Sequence, residues 1–199
     1  MSFYNTIEQE GVAEFKDRGS KFLAYAFPFS DAATLKLIIQ KLKKEHTKAV
    51  HFCFAYHLGT DGNVFRSSDD GEPAGSAGKP ILGQLDSKEV TDILVVVVRY
   101  FGGSLLGVSG LINAYKTATS LVLQVVPIVQ KPVLRFCNIQ FDYTQMNDIS
   151  MIIKQFGCII VSQENQLFYT IKLGIPNERK DDVLHRLKNL RNVEISTLL

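Results

Sequence analysis

The segment ILVVVVRYFGGSLLGVSGL, residues 93–111, determines most of what the sequence predicts about the fold. Residues 93–98 are β-branched almost throughout, a composition typical of a strand that is covered on both faces. Gly102 and Gly103 permit a tight turn directly after this strand. Apolar residues then recur at helical spacing, so we expect a helix to begin near Ser109 or Gly110. The segment therefore predicts a strand, a glycine-rich loop and a helix.

This strand, loop and helix can be interpreted in two ways. The unpaired N–H groups of the first helical turn, together with the positive end of the helix dipole, would face the loop, and an anion could bind there within reach of Arg99. Alternatively, the glycines only allow the helix to lie flat against the sheet. The sequence lacks a G-x-G-x-x-G pattern, which disfavours a dinucleotide site.

The chain before this segment predicts a hairpin followed by a helix. Residues 11–29 form two strand-like runs around the turn Asp17–Ser20, in which a glycine supplies the positive φ that such turns often need. Residues 30–46 carry apolar side chains at helical spacing after Ser30 or Asp31, either of which could cap the helix.

Residues 51–58, HFCFAYHL, alternate with period two and predict a half-buried strand. His51, Cys53 and His57 share one face, and these are residue types that bind zinc. His51 and His57 would lie about 20 Å apart along a strand that rises about 3.3 Å per residue, so they cannot share one metal unless the chain bends sharply. We expect His51 to face a site and Cys53 to pack in the core.

Residues 59–80 form the longest polar, glycine-rich segment, and we expect a functional loop there. Asp69, Asp70 and Glu72 crowd three carboxylates into four positions, and their repulsion requires a cation, an arginine, water or backbone N–H groups nearby. A magnesium or calcium site is one interpretation. A salt-bridged turn is favoured over it, because the EF-hand loop pattern is not matched.

Composition limits the classes of protein to which the chain can belong. The sequence has 199 residues, with 46% hydrophobic and 21% charged residues, as expected for a folded protein. A net charge of +2 is low for a non-specific DNA-binding protein, and it neither requires nor excludes RNA. No run approaches about 20 apolar residues, and the amino terminus does not resemble a secretory signal. We therefore expect a cytoplasmic protein without a membrane partner. The three cysteines lack a C-x-x-C pair, so we expect no disulfide-linked partner.

Pro127 and Pro132 mark a boundary, which predicts two domains, residues 1–128 and 129–199. The second domain has the element order βαββαβ of the ferredoxin-like arrangement, with helices on one side of a four-stranded sheet. We predict an α+β protein made of two two-layer domains, each a sheet with helices. The elements predicted in the second domain are a strand, a helix, two strands, a helix and a strand, over residues 133–143, 145–156, 158–163, 166–175, 177–190 and 193–196.

Three motifs together resemble the signature of the IMPACT family, including its bacterial YigZ-like members: AVHFCFAY, SSDDGEPAGSAGKPIL and VVVVRYFGGSLLGVSGLINAY. The resemblance implies that the first domain has the fold of the second domain of a small-subunit ribosomal protein, also found in elongation factor G. It implies that the second domain is similar to a carboxyl-terminal domain of elongation factor G, and that the protein has a link to translation. Eukaryotic relatives carry an additional domain for a stress-kinase pathway, and we do not expect that role here.

The resemblance also implies which residues form a binding site. The family's acidic motif corresponds to residues 69–73, its arginine-aromatic-glycine motif to residues 99–103, and its strand histidine to His51. Ser109 stands at the position of a family glycine, and Asn113 stands where members often have a basic residue. The residues that we expect to form the site are His51, Asp69, Asp70, Glu72, Lys79, Arg99, Tyr100, Gly102, Gly103, Ser109 and Tyr115.

Two functions are compatible with these residues. The first, which we favour, is a non-catalytic module that binds RNA, the ribosome or a translation factor, with Arg99, Lys79 and the loop amides contacting phosphate. The second is a metal-assisted hydrolase of a phosphorylated or peptide substrate, in which the acidic motif supplies ligands or a base and His51 an acid or base. A serine nucleophile at Ser67 or Ser68 is disfavoured because G-x-S-x-G is absent. No motif identifies a cofactor.

Overall fold

The computed structural model describes residues 2–165 and 168–197, and the chain divides into two compact units. The first unit comprises Tyr4–Lys131, and the second comprises the chain from Pro132 onward together with the residues before Tyr4. Each unit combines helices with antiparallel strand pairs, so the predicted α+β class is confirmed. None of the described helices is long and apolar enough to cross a membrane.

Ten helices and strands belong to the first unit or to its two ends. In chain order they are β1 (Phe3–Ile7), β2 (Gly11–Asp17), β3 (Ser20–Pro28), α1 (Leu35–Glu45), β4 (His51–Leu58), β5 (Val64–Ser68), α2 (Gly78–Ser87), β6 (Ile93–Tyr100), α3 (Gly107–Val125) and β7 (Ile128–Pro132). A five-stranded sheet has the order β2-β3-β6-β4-β5, and β1 pairs with β7 in a separate two-stranded sheet.

The central strand β6 is buried on both faces, as its composition predicts. Val95 and Val97 pack in a core with α2 and α3, whereas Leu94 and Val96 pack in a second core with α1. The first unit therefore has three layers, with helices on both sides of its sheet. The expectation of a two-layer first domain is wrong for this reason, because a strand whose alternate apolar residues are all buried needs cover on each face.

The predicted hairpin and the predicted strand at residues 51–58 are confirmed. The hairpin joins β2 to β3 through Arg18 and Gly19, both of which have positive φ. Strand β4 directs Cys53 and Ala55 into the core with α2 and α3, and it directs Phe54 into the core with α1. The alternation in the sequence therefore identified both faces of this strand correctly.

The segment 59–80 is not a continuous loop, in contrast to the prediction. It contains the edge strand β5 and the first residues of α2. The side chains of β5 are largely exposed, and its sequence does not alternate between apolar and polar residues. The strand forms through its pairing with β4. Helix α3 begins at Gly107, two residues before the predicted start at Ser109.

The second unit has the predicted order of elements. They are β8 (Leu134–Phe141), α4 (Met146–Phe156), β9 (Ile159–Asn165), β10 (Tyr169–Pro176), α5 (Lys180–Lys188) and β11 (Val193–Thr197). The strand order is β11-β8-β10-β9, with antiparallel neighbours. Residues 166–167 of the predicted strand 166–175 lie outside the described residues. One-turn 3-10 helices precede α1, α4 and α5, at Ala32–Thr34, Tyr143–Gln145 and Asn177–Arg179.

The core of the second unit lies between its two helices and one face of its sheet. Ile139 and Leu173 of the sheet pack there with Ile149 of α4 and Val183 of α5. Mainly polar side chains line a cavity elsewhere on the sheet, among them Asn138 on β8. The helices therefore cover one face, as predicted.

Candidate functional site

The carboxylate of Asp69 caps helix α2. It accepts hydrogen bonds from the backbone N–H groups of Gly75 at 2.9 Å, Ala77 at 3.0 Å and Gly78 at 2.8 Å. The residue that immediately precedes the helix, Ala77, supplies no side-chain cap. Asp69 therefore satisfies donors that the first turn of the helix would otherwise leave unpaired.

The environment of Asp69 favours its charged form. Burial by itself raises the pKa of this carboxyl, but the hydrogen bonds from Gly75, Gly78 and Ala77, together with the charge of Lys79, outweigh burial and hold the pKa below its usual range. The carboxylate is thus ionised at neutral pH and is fully engaged in holding the β5–α2 connection.

Asp70 orients His51. Its side-chain Oδ2 accepts a hydrogen bond from the Phe52 N–H at 2.7 Å, and its backbone carbonyl accepts one from His51 Nδ1 at 2.8 Å. Because a carbonyl oxygen can only accept, Nδ1 carries a proton, and the other ring nitrogen, Nε2, is directed toward Glu72, with 3.9 Å between Nε2 and Oε1. Asp70 itself has φ of 40°, a left-handed conformation that aspartate tolerates better than most residues.

Glu72 and Arg99 form a buried ion pair. Arg99 Nη1 donates to Glu72 Oε1 at 2.6 Å, and the Tyr115 hydroxyl donates to the same oxygen at 2.7 Å. Glu72 is 8% exposed and Arg99 is 5% exposed. Arg99 on β6 is the direct cross-strand neighbour of His51 on β4, which brings the imidazole to the same place. The acidic motif thus supplies the counter-ion of Arg99, as the salt-bridged alternative requires.

Tyr115 and Cys53 complete the buried side of this cluster. The Cys53 sulfur lies 3.3 Å from the Tyr115 hydroxyl oxygen and 2.9 Å from the Asp69 carbonyl oxygen. Burial, the largest cause, raises the pKa of the Tyr115 hydroxyl and that of the Cys53 thiol far above their usual ranges. Both groups are therefore neutral at physiological pH, and Cys53 packs in the core as predicted.

A cavity of about 340 Å³ opens beside the ion pair, and we call it the Arg99 pocket. Its floor contains three polar side chains, and the N-terminus of α3 contributes Gly107 to its lining. Its walls are mainly apolar. The lining residues are His51, Glu72, Pro73, Arg99, Phe101, Leu105, Leu106, Gly107, Val108 and Leu111.

The guanidinium of Arg99 is only partly satisfied by the protein. Its Nε is buried and has no hydrogen-bond partner among the residues that the structure describes. The guanidinium carbon lies 5.5 Å from the centre of the Phe22 ring and 5.7 Å from that of Phe101. Such distances permit cation–π attraction, so the two rings help to hold the charge in an otherwise apolar place.

The structure brings four of the residues singled out in the sequence into direct proximity: His51, Glu72, Arg99 and Tyr115. Asp69 and Asp70 support this cluster from the β5–α2 connection, where each is engaged by backbone groups.

The remaining predicted site residues do not belong to this cluster, and none of them lines the Arg99 pocket. Tyr100 belongs to the opposite face of the sheet, where its hydroxyl is 2.8 Å from His46 Nδ1. Lys79 is exposed on the first turn of α2, and Ser109 is exposed on α3. Gly102 packs against the backbone of Gly19 so closely that a side chain would not fit. Gly103 has φ of 87° in the loop before α3.

Sequence patterns did not identify the apolar walls of the pocket. Phe101 is 49% exposed, Leu105 is 84% exposed and Val108 is 53% exposed, although all three are large and apolar. The signal that could have identified them is the occurrence of large apolar residues in the glycine-rich loop and at the first exposed turn of α3, where no strand or helix period requires them to be apolar.

The carboxylates of the acidic motif do not converge on a common point. Asp69 faces the start of α2, Asp70 faces the backbone of β4, and Glu72 faces Arg99. Within residues 2–165 and 168–197, no group of three or more His, Cys, Asp and Glu side chains could hold a metal ion.

Comparison with known proteins identifies the family. The sequence model of the Impact N-terminal domain matches residues 18–123. IMPACT family member YvyE of Bacillus subtilis (strain 168) is 36% identical over 146 residues, which cover 73% of this chain and 67% of YvyE. IMPACT family member YigZ of Escherichia coli (strain K12) is 34% identical over 159 residues, which cover 79% of this chain and 78% of YigZ.

A solved structure extends the similarity to the whole fold. The crystal structure of a hypothetical protein superposes with a TM-score of 0.76 at 28% identity, and the match covers 100% of this chain and 98% of that one. The resemblance seen in the three sequence motifs is thus confirmed by independent matches that extend well beyond them. The family model spans more than half of the chain, and both relatives exceed 30% identity over most of it, so this chain belongs to the IMPACT family.

Proposed function

We propose that this chain is a binding module that acts in translation, and that its first unit contacts RNA, the ribosome or a translation factor through the Arg99 pocket. Membership of the IMPACT family supports the link to translation, through the resemblance of the three motifs described above. The geometry of the site supports recognition rather than catalysis.

One observation carries this proposal: the acidic motif is engaged by protein donors, while the pocket beside it is open. Asp69 accepts three backbone hydrogen bonds, and Glu72 Oε1 accepts bonds from Arg99 and Tyr115. These contacts pre-organise the floor of the pocket before any ligand arrives, and a pre-organised floor lowers the cost of binding. An apolar cleft with a few well-placed polar groups is the usual form of a recognition site.

Metal-assisted hydrolysis receives no comparable support. A metal-activated water needs several ligands directed at one point and a base within hydrogen-bond reach. Asp69 would have to abandon the cap of α2, and Glu72 would have to leave Arg99 without a counter-ion, before either could bind a metal. Removing one partner of a buried ion pair costs about 3–5 kcal/mol, so this rearrangement is unfavourable.

Lys79 is the exposed cation that the proposal assigns to a phosphate. It lies on the first turn of α2, on the side of the sheet that α2 and α3 cover. Lys36 provides a matched control, because it is also exposed on a helix, but α1 covers the opposite face of the sheet. The two lysines therefore separate a contact at the start of α2 from a general effect of charge.

The proposal is tested by titrating isolated ribosomal subunits and a structured RNA with the protein at several salt concentrations. We expect the logarithm of the affinity to fall linearly with the logarithm of the salt concentration, and we expect Lys79→Gln to reduce that slope by about 1. Lys36→Gln should leave the slope unchanged. An affinity that does not respond to salt, or equal effects of the two substitutions, would exclude phosphate contact at Lys79.

We also propose finer assignments of the fold. The element order of the second unit and its strand order β11-β8-β10-β9 support the ferredoxin-like arrangement. The family resemblance supports the fold of the second domain of a small-subunit ribosomal protein for the first unit, and domain limits of 1–128 and 129–199. A truncation series ending near residue 128, followed by circular dichroism, tests whether the first domain folds within those limits.

A further inference from the structure

The floor of the Arg99 pocket offers hydrogen-bond acceptors and donors but little net charge. Glu72 neutralises Arg99, so a ligand group that faces the floor has no unpaired charge to meet. The bonds that Arg99 and Tyr115 donate to Glu72 both use Oε1, and no donor among the described residues contacts Oε2. The Nε2 atom of His51 lies on the same side, directed toward Glu72. This arrangement suits a neutral group that carries donors and acceptors along one edge.

The walls of the pocket are suited to a flat apolar body. The aromatic ring of Phe101 lines the cavity close to the Arg99 guanidinium, and Phe101 is 49% exposed. Leu105 and Val108 expose large apolar surfaces on the same loop and helix. Exposed apolar side chains grouped around a cavity are typical of a binding site, because a ligand that covers them removes that surface from water.

The N-terminus of α3 adds a place for an anionic group at the mouth of the pocket. This helix has 19 residues, and Leu106, which precedes it, supplies no side-chain cap. Gly107 and Val108, the first helical residues, line the cavity, so their N–H groups belong to its surroundings. Arg99 is the second, independent observation: it is only 5% exposed at the same cavity, and its Nε lacks a partner among the described residues.

We infer that the Arg99 pocket binds a single nucleotide, with the edge of the base on the floor, one face of the base on Phe101, and the phosphate at the N-terminus of α3. The cavity of about 340 Å³ lies within the range of small-ligand sites, about 300–1,000 Å³. This inference rests on the proposed function, because it specifies which part of an RNA the pocket takes. A base turned out of an RNA strand is recognised in this manner, by stacking and by hydrogen bonds to its edge.

Guanine is the base that fits the floor best. Its Watson–Crick edge carries two adjacent donors beside an acceptor, and the Glu72 carboxylate and the Arg99 guanidinium, which both line the cavity, are the acceptor and donor groups that such an edge would meet. Arginine commonly contacts the acceptors O6 and N7 of guanine in the major groove of DNA, and O6 also lies on the Watson–Crick edge. We therefore expect guanosine monophosphate to bind more tightly than the other three nucleoside monophosphates.

The test is isothermal titration of the full chain with the four nucleoside monophosphates, guanosine and inorganic phosphate. We expect guanosine monophosphate to bind most tightly and inorganic phosphate alone to bind at least about tenfold more weakly, since phosphate gains no stacking. A single-stranded oligoribonucleotide with one guanosine distinguishes the two possible ligands, an RNA and a free nucleotide. Tighter binding of the oligoribonucleotide than of guanosine monophosphate indicates RNA, and weaker binding indicates the free nucleotide. Equal binding of phosphate and nucleotide, tighter binding of another base, or no binding would overturn the inference.

Two substitutions locate the binding in the pocket. Phe101→Ala should weaken the binding of guanosine monophosphate by about 5- to 150-fold, which is the loss of affinity expected when one base no longer stacks. Phe65→Ala is the matched control, because Phe65 is 59% exposed on the edge strand β5 and should have no effect. Leu105→Ser changes a side chain that is 84% exposed, so it cannot unfold the protein by opening a core, and it should also weaken binding. Unchanged affinity in both pocket variants would overturn the inference.

The two proposals fail in distinguishable ways. If ribosomal subunits bind wild type and Phe101→Ala equally and no nucleotide binds, the nucleotide site and contact through the Arg99 pocket are both wrong, while a binding module in translation stands. If guanosine monophosphate binds in a Phe101-dependent manner but neither ribosomal subunits nor RNA bind, the role in translation is wrong while the site stands.

Discussion

At the scale of single residues, the site depends on a buried ion pair that is supported from several directions. One carboxylate oxygen of Glu72 accepts hydrogen bonds from both Arg99 and Tyr115. His51 lies beside this carboxylate because its ring is hydrogen-bonded to the backbone carbonyl of Asp70. Taking two charges out of water is costly, and the cost is offset only when both charges are paired and hydrogen-bonded. The pair therefore adds little stability by itself, but the loss of either member is expensive.

The substitution Glu72→Gln tests this asymmetry. It leaves the Arg99 charge buried without a counter-ion, so we expect the free energy of unfolding in urea to fall by about 3–5 kcal/mol. Glu14→Gln serves as the control, because the exposed Glu14 carboxylate pairs with Lys16 at 2.8 Å on the surface. A pair of that kind contributes about 0–1 kcal/mol. Similar losses for the two variants would contradict the account of the buried pair.

At the scale of elements, the β5–α2 connection is held by an acidic side chain from outside the helix it caps. Asp69 lies eight residues before Ala77 and nine before Gly78, and it accepts hydrogen bonds from the N–H groups of both. A helix cap at such a distance leaves no local pattern next to the helix start. This is why α2 escaped prediction, whereas the amphipathic α1 did not. The exposed strand β5 escaped prediction because its sequence has no apolar alternation.

The substitution Asp69→Asn should show the charge dependence of this cap. Because the folded pKa of Asp69 lies below its unfolded value, the stability it contributes is present above about pH 3.9 and is lost as the pH falls further. At pH 7 we expect Asp69→Asn to lower the free energy of unfolding by about 1–2 kcal/mol. The difference from wild type should shrink below about pH 4.

Urea unfolding at pH 3 to 7 measures this difference, with Asp17→Asn in the β2–β3 hairpin as the control, for which we expect a change below about 0.5 kcal/mol. A difference between wild type and Asp69→Asn that stays constant down to the lowest pH would show that the charge of Asp69 does not stabilise the cap.

At the scale of the whole molecule, each unit has its own hydrophobic interior. The first unit contains two cores, one on each face of its sheet, and the second unit contains one core between its helices and its sheet. A unit with its own core can in principle unfold by itself. Local stability is therefore expected to differ between the two units.

The substitution Ile171→Ala separates the two units experimentally. Ile171 is buried in the core of the second unit, and its truncation should cost about 2–5 kcal/mol there. We expect native-state hydrogen exchange, followed by mass spectrometry, to show faster exchange in β8 and β10 and unchanged protection in β6. Equal loss of protection in β6 would mean that the units unfold together.

The sequence by itself determined many of the local elements and the polar residues of the buried cluster. Period-two alternation identified both faces of β4, the β-branched run identified β6, and three motifs identified the family. These features can be read from short stretches of sequence, because side chains point to the same face at a fixed interval within a strand or a helix. The crowding of Asp69, Asp70 and Glu72 within four positions also indicated that their charges needed partners.

Only the tertiary structure decided which partner each carboxylate has and where the pocket opens. Glu72 contacts Arg99, 27 residues away in sequence, because Glu72 follows β5, which pairs with β4, and β4 in turn pairs with β6. Helix α3 brings Tyr115 to the same carboxylate. The three-layer arrangement and the apolar walls around Phe101 likewise depend on contacts between distant segments. Such contacts follow from how elements pack, and the period of a single element carries no information about its neighbours.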